Sequence, residues 1–329
     1  MTFRPSTCVS LVGVGLLGWL LFSSDWTSLR QLFSQVNVSY LYAMPVYTAS
    51  LIAVRAWRWN ILLTAQGDAF TPWQAYTAYA SGIFIGTFTP GRLGDLSRAL
   101  YVRYERDVSW ENALAGAILD RFFDVAFMSC LAIWAVVHLD LWGVMRPIIG
   151  EISGMFNDSG LVFAILLFVL LVGVLSALLA TGLIRRLKAF ACTLKKECWA
   201  LVQSVGWKAL ALTVVAYTIY FAQTVALARG LSLPLEASDI IASVVLVGLA
   251  SFLPLSVAGL GTREGGLALI MAHRAVPDSL EASLAYSALF FAFCFLVPGL
   301  LGFVCFWQRP LSWQVLRRST SEALNVGDD

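Results

Sequence analysis

Charge is what this 329-residue chain has least of. Only 13% of its residues are Asp, Glu, Lys or Arg, where soluble domains carry roughly 25%, while 59% are hydrophobic and the mean hydropathy is +0.78. That balance excludes a soluble globular domain. Histidine is nearly absent: His138 and His273 sit near segment ends with no partner motif, and neither is assigned a catalytic or metal role. The six cysteines (Cys8, Cys130, Cys192, Cys198, Cys294 and Cys305) lack paired metal-ligand spacing; most lie inside apolar stretches and read as small buried residues. No nucleotide-binding loop and no Ser/His/Asp set is found, so no catalytic residue, no metal and no cofactor is expected. The strict polar–apolar alternation of a membrane β-barrel is missing too. Nucleic-acid binding has no support, because the main cluster of basic residues, six of the 22 Lys and Arg, lies in one segment that topology and anionic-lipid contact suffice to explain.

What the chain does have is long apolar runs. A helix needs roughly 20 residues to cross the hydrocarbon core, and six full spans are expected, near residues 9–22, 40–63, 113–137, 161–183, 209–228 and 284–307. Arg4 followed by the run at 9–22 could suggest a secretory signal, but "SSDW" follows in place of a small-x-small cleavage site, so an uncleaved first span is the reading. Two further apolar regions are interrupted. One runs 75–88, breaks at "TPGRLGD", and resumes over 96–102; the other runs 240–253, breaks at "PLSVAGLGTREGG", and resumes over 267–272. No arm reaches across the ~30 Å core alone. The breaking residues are Pro90, Gly91 and Gly94 in the first, and Pro254, Gly259 and Gly261 in the second. Each interrupted region reads as a re-entrant helical hairpin, a device tolerated in membranes only where the irregular backbone is buried in protein or lines a cavity. In each, a Gly precedes an N-capping residue, Asp95 or Thr262, expected to start the second arm. The expected fold is therefore an all-α polytopic membrane protein: six transmembrane helices plus two re-entrant helical hairpins, arranged as an inverted repeat.

Charge orients it. The segment 185–208, read as a loop, holds Arg185, Arg186, Lys188, Lys195, Lys196 and Lys208 against Glu197, which marks it as cytoplasmic. Counting spans outward from it places the N-terminus with Arg4, and the tail with Arg309, Arg317 and Arg318, inside as well. Hairpin one then enters from the cytoplasm and hairpin two from outside. Each half orders its elements as span, span, hairpin, span. Since three spans per half is odd, the second copy must be inverted. Residues 1–309 are expected to form one transmembrane domain, with halves at about 1–138 and 160–309, and 310–329 a partly disordered cytoplasmic tail.

Charges at membrane depth are costly and default to functional hypotheses. Arg92, Asp95 and Arg98 surround the first break, where a helix start beside two guanidinium groups suits a phosphate; Arg98 and Asp95 could equally pair to hold the turn. Arg263 and Glu264 repeat that logic at the second break, with an intra-hairpin salt bridge as the structural alternative. Asp120 and Asp124 share one face of the third span, with Arg121 about 100° round the helix; the carboxylates could pair with Arg92 or Arg98, bind a cation or carry a proton. Arg55 and Arg58 in "RAWRW", interleaved with Trp57 and Trp59, suit interfacial anchoring or contact with a lipid headgroup.

Together "RWN-LL", "G-F-TPGRLGDLSRALYV", "DRFFD" and "SVAGLGTREGG" resemble the lysylphosphatidylglycerol synthase transmembrane-region family of flippase-like membrane proteins, over roughly residues 10–307. The resemblance implies a multi-pass protein of the inner (cytoplasmic) membrane that handles a lipid with a polar headgroup. Bifunctional relatives carry an aminoacyl-transferase domain after the membrane region; the chain here ends about twenty residues past the last span, so lysyl transfer is not carried over. The expected function is a lipid flippase moving an anionic or glycosylated headgroup between the hairpins, with membrane lipid and bilayer as partners. Two alternatives stand beside it. One is a membrane-embedded lipid-modifying transferase, for which "DRFFD" offers one D-x-x-x-D pattern. The other is an ion-coupled small-solute carrier using Asp120 and Asp124. The Trp, Phe and Gly content is also compatible with a homo-oligomer.

Overall fold

A computed structural model describes residues 19–20, 22–87, 89–141, 183–250 and 261–310, with the side chains at 90–93, 183–191 and 250 left undescribed. Most of the expected first span, the span expected at 161–183, Pro254, Gly259, Arg4, Cys8 and the tail beyond 310 lie outside the described residues, as does the side chain of Arg92.

Every described element is helical. In chain order they are α1 (Trp26–Ser34), α2 (Val38–Tyr42), α3 (Met44–Ala65), α4 (Pro72–Thr87), a 3₁₀ helix (Pro90–Ser97), α5 (Arg98–Arg106), α6 (Trp110–His138), α7 (Leu183–Gly230), α8 (Ala237–Ala250), α9 (Thr262–His273), α10 (Ser279–Phe291), a π-turn (Ala292–Leu296) and α11 (Val297–Gln308). Two stretches, Cys192–Gly230 and Ser279–Gln308, are long and apolar enough to cross a membrane. Helices α3 and α6, of 22 and 29 residues, are also long enough, at roughly 33 and 43 Å. What lowers their hydropathy is a set of charges near mid-length, and those charges point inward.

The molecule is inside-out relative to a water-soluble protein. Trp57, Phe122, Ile133, Trp207, Leu269 and Leu300 are exposed, while Arg58, Arg98, Asp120, Asp124, Arg263 and Glu264 are buried. Water would solvate the second group and expel the first; lipid reverses both preferences.

The first interrupted segment folds back on itself. After α4 the chain reverses, and the 3₁₀ helix runs against the end of α4. Thr89 fastens the reversal: its amide and hydroxyl donate to the Gly86 carbonyl, each at 3.1 Å, and its hydroxyl oxygen accepts the Gly94 amide at 2.7 Å. The backbones meet where only glycine fits. A Cβ on Gly94 would stand 2.6 Å from the Ile85 carbonyl oxygen, and one on Gly86 would overlap the Asp95 carboxylate. Asp95 does not cap α5 as expected. It lies inside the 3₁₀ helix, α5 begins at Arg98, and the Asp95 carboxylate is drawn to Arg121. In the second hairpin, Gly261 occupies the N-cap with φ 82°, a left-handed value that suits glycine, and Glu264 accepts its amide at 2.6 Å. Thr262 is therefore the first helical residue and not the cap.

Two further expectations are corrected. Segment 185–208 is no loop but the first half of the 48-residue α7. Leu194, Cys198, Leu201 and Val205 recur at helical spacing and pack on Leu62, Ala115 and Leu119, so one face of this basic segment is core. The last span is interrupted by the π-turn. Pro298 has no N–H for the Cys294 carbonyl four residues back, and Thr48 and Gln223 donate to the neighbouring Phe293 carbonyl at 3.1 and 3.5 Å.

Helix α4 lies along α11, and α8 lies along α6. Residues at and just past the ends of α6 and α11 also fasten the neighbouring segments. At the end of α6, His138 Nε2 is 3.0 Å from Asp239, and Arg274 donates to Asp239 at 2.7 Å and to the His138 carbonyl at 3.1 Å. After α11, Arg309 donates to the Gln74 carbonyl at 3.0 Å and pairs with Glu105, and its own carbonyl accepts the Tyr101 hydroxyl at 2.9 Å.

Candidate functional site

Position 58 of α3 faces positions 120 and 124 of α6, four residues apart and so on one side of that helix. Arg58 Nε donates to Asp120 at 2.6 Å, and its Nη1 donates to Asp124 and to the Thr213 hydroxyl of α7, both at 2.8 Å. The other Asp120 oxygen accepts Arg98 Nη2 at 2.7 Å, and that guanidinium lies 4.5 Å from the centre of the Tyr79 ring and 5.4 Å from that of Trp59. Four helices are thereby tied at one buried point. Arg58 and Asp120 are wholly inaccessible, so Arg58 is not an interfacial anchor. It is held by carboxylates in the interior, whose attraction offsets the cost of taking the guanidinium out of water.

Helix α9 carries its own network. Arg263 Nη2 donates to Glu264 at 2.7 Å, Arg263 Nε donates to the Ser287 hydroxyl at 2.6 Å, and that hydroxyl donates to Glu264 at 2.6 Å. The rings of Phe290, Phe291 and Phe295 surround the guanidinium at 5.3–5.8 Å. The salt bridge within the hairpin is present, yet one Arg263 nitrogen, Nη1, has no hydrogen-bond partner.

Between the two networks lies a cavity. Its wall is built from Arg55 and Thr48 of α3, Tyr79 of α4, Asp95 of the 3₁₀ helix, Arg121 and Asp124 of α6, Tyr217 and Gln223 of α7, Arg263 of α9, and Tyr286 and Phe293 beyond it. Including the space at its open mouth it spans about 1440 Å³. Arg55 stands 5.5 Å from the centre of the Tyr217 ring, and its Nε has no hydrogen-bond partner.

The expected site residues thus divide. Arg55, Asp95, Arg121, Asp124 and Arg263 line the cavity; Arg58, Arg98, Asp120 and Glu264 stand behind it and hold its wall. Pro90, Gly91 and Gly94 lie in the 3₁₀ helix, and Gly261 starts α9. Sequence reasoning missed Thr48, Tyr79, Thr213, Tyr217 and Gln223. A polar residue inside an apolar run was the available signal, as was Pro298 for the π-turn. Among the described residues no three His, Cys, Asp or Glu side chains gather into a group that could hold a metal ion.

Helices with apolar exteriors and inward charges around a cavity define a multi-span α-helical membrane protein. More closely, residues 8–302 match the family described as the lysylphosphatidylglycerol synthase transmembrane region, and the chain belongs to this family of flippase-like membrane domains. No curated protein and no solved structure matches it.

Proposed function

We propose that the protein moves a lipid across the cytoplasmic membrane by passing its polar headgroup through the cavity while the acyl chains stay in the bilayer. One observation carries this reading: residues of both hairpins, Asp95 and Arg263, line the same cavity in a protein whose outer surface is apolar. Charged groups turned toward an internal cavity mark polar pathways in membrane proteins.

The architecture proposed with it is the inverted repeat of six spans and two hairpins within residues 1–309, the tail following, with both termini cytoplasmic. Hairpins inserted from opposite faces then meet at the cavity, as in transporters built from inverted repeats. The clasp of Arg274, Asp239 and His138 closes the outer face, and that of Arg309, Glu105 and Gln74 the inner face. Alternating access consists of opening one clasp while the other holds. Arg55, Arg121 and Arg263 meet the headgroup, and Arg58, Arg98, Asp120 and Glu264 position them. This refines a simpler expectation in which Arg98 itself touches the lipid.

The test is translocation in proteoliposomes. Purified protein is reconstituted with a trace of fluorescent anionic phospholipid, and dithionite bleaches whatever lies in the outer leaflet. Bleaching beyond the outer-leaflet half is expected with the protein and not in empty vesicles. Bleaching that stops at half in both would overturn the reading.

A further inference from the structure

Helix α1 is held as a strap across one face of the protein. Asp25 caps it: the carboxylate accepts the Thr27 amide and the Ser28 hydroxyl, each at 2.9 Å. The Asp25 amide donates to Glu281, in the first turn of α10, at 3.0 Å. At the other end, the Asn37 amide donates to the Gly230 carbonyl, the last residue of α7, at 2.8 Å. Those two anchors share a face. Helix α7 ends at Gly230 and α8 starts at Ala237; α9 ends at His273 and α10 starts at Ser279; and Asp239, near the start of α8, is bonded to Arg274, just past the end of α9. With both ends held at that face, α1 runs along it. Its 9 residues span roughly 13 Å, too little to cross the ~30 Å core.

Three surroundings meet along α1. At about 100° per residue, Leu32, Leu29, Phe33 and Trp26 occupy one arc, and Arg30, Ser34, Thr27 and Gln31 another. Leu29 is buried, and Leu32 packs beside it on the core. Trp26 and Phe33 border that arc and are 65% and 43% exposed. Thr27, Arg30, Gln31 and Ser34 are exposed on the far side. A single exposed ring needs no explanation, but these two have company along the chain. Trp19 and Phe22 lie exposed before α1, and Tyr42 at the end of α2. From Tyr42 an exposed stripe continues down α3 through Val46, Ala53 and Trp57, at spacings that keep it on one side of the helix.

We propose that α1 is an interfacial helix. Its Trp26 and Phe33 edge is seated at the boundary between headgroups and acyl chains, Leu29 and Leu32 hold it to the protein, and Arg30 and Gln31 face water. The partner of this edge is the lipid surface and not a second copy of the chain. Tryptophan suits that boundary, because its ring is apolar and its N–H is polar. An amphipathic helix lying in the membrane plane sinks its apolar side about 5–10 Å. The edge is also too narrow for a protein partner: two rings bury at most about 500 Å², against roughly 800 Å² per side in a standard protein interface. The stripe on α3 carries the same exposed apolar surface on toward the bilayer core, so one solvent meets both. This placement stands apart from the transport reading. It fixes the membrane depth of the strap that joins the start of α10 to the end of α7.

The test is photocrosslinking of the full chain. The photoreactive residue p-benzoylphenylalanine replaces Trp26, Phe33 or Gln31, one at a time. Each protein is reconstituted in vesicles of phosphatidylcholine and phosphatidylglycerol, irradiated and digested, and the adducts on the α1 peptide are read by mass spectrometry. All three replaced side chains are exposed, so each variant is expected to melt like wild type. Positions 26 and 33 are expected to give several-fold more lipid adduct than position 31, with attachment on the glycerol and upper acyl carbons. Adducts equally abundant at all three positions would mean that lipid surrounds α1, and attachment near the acyl ends would mean that it lies in the bilayer core; either overturns the placement. Covalent dimers at positions 26 and 33 would assign the edge to a second copy of the chain, and crosslinks within one chain would assign it to the protein itself. Both results also overturn it, as does the absence of lipid adducts at both positions.

Discussion

Arg55 and Arg58 lie less than one helical turn apart in α3, and their surroundings give them different work. Arg58 touches two carboxylates and a hydroxyl; Arg55 touches the Tyr217 ring. Removing Arg58 strands Asp120 and Asp124 in the interior, so Arg58→Ala is expected to destabilise the protein by about 3–5 kcal/mol, seen as a lower melting temperature in detergent. Arg58→Lys should rescue little, since one ammonium cannot reproduce the planar fork that reaches two carboxylates and a hydroxyl. Arg55→Gln should melt like wild type. If the Arg58 and Arg55 variants melt alike, the division between wall-holding and headgroup-facing arginines is wrong. The distinction was partly legible in "RAWRW". Helical spacing puts Arg55, Trp59 and Leu62 on one side with Arg58 beside them, and turns Trp57 away; Trp59 and Leu62 are wholly buried and Trp57 is 61% exposed. The Trp and Arg content pointed to the bilayer interface, whereas the spacing pointed inward, and the carboxylates that make the inward choice tolerable lie more than 60 residues along the chain.

At the scale of elements, proline and glycine made the first reversal readable, because they break helices whatever surrounds them; the break before Gly261 lies outside the described residues. The start of the second arm was not readable. Asp95 has the chemistry of a cap, but Arg121 offers its carboxylate a full charge where α5 offers amide hydrogens. The long basic helix was also hidden, since a cluster of Lys and Arg is compatible with loop or helix until its apolar face finds Leu62 and Leu119. Two predictions belong here. Gly94→Ala forces a Cβ against the Ile85 carbonyl and should lower stability by roughly 1–3 kcal/mol, measured by thermal unfolding; a wild-type melting temperature would mean that the 3₁₀ helix does not lie against α4. The clasps predict opposite outcomes. With Met128, which lines the cavity, replaced as Met128→Cys, Arg274→Ala should raise its labelling by a membrane-impermeant maleimide added outside. Arg309→Ala should raise labelling from the cytoplasmic side of inverted vesicles. Labelling that rises from the same side in both variants would contradict the assignment of one clasp to each face.

For the whole molecule, composition revealed the class but not how the pieces interlock. Helix α4 rests on α11 and α8 rests on α6, so elements far apart in the sequence complete one another. Contacts of such sequence separation leave no local pattern to read. The resulting molecule is apolar outside and charged within, with Arg55 lining its cavity and bonded to no carboxylate among the described residues, and the central claim is that a lipid headgroup answers that cation. Native mass spectrometry of the protein released from mild detergent tests it most directly. The account predicts a bound lipid on the wild-type protein, retained in Arg55→Lys and lost in Arg55→Gln. A wild-type protein that carries no lipid, or an adduct equally abundant in Arg55→Gln, would contradict it.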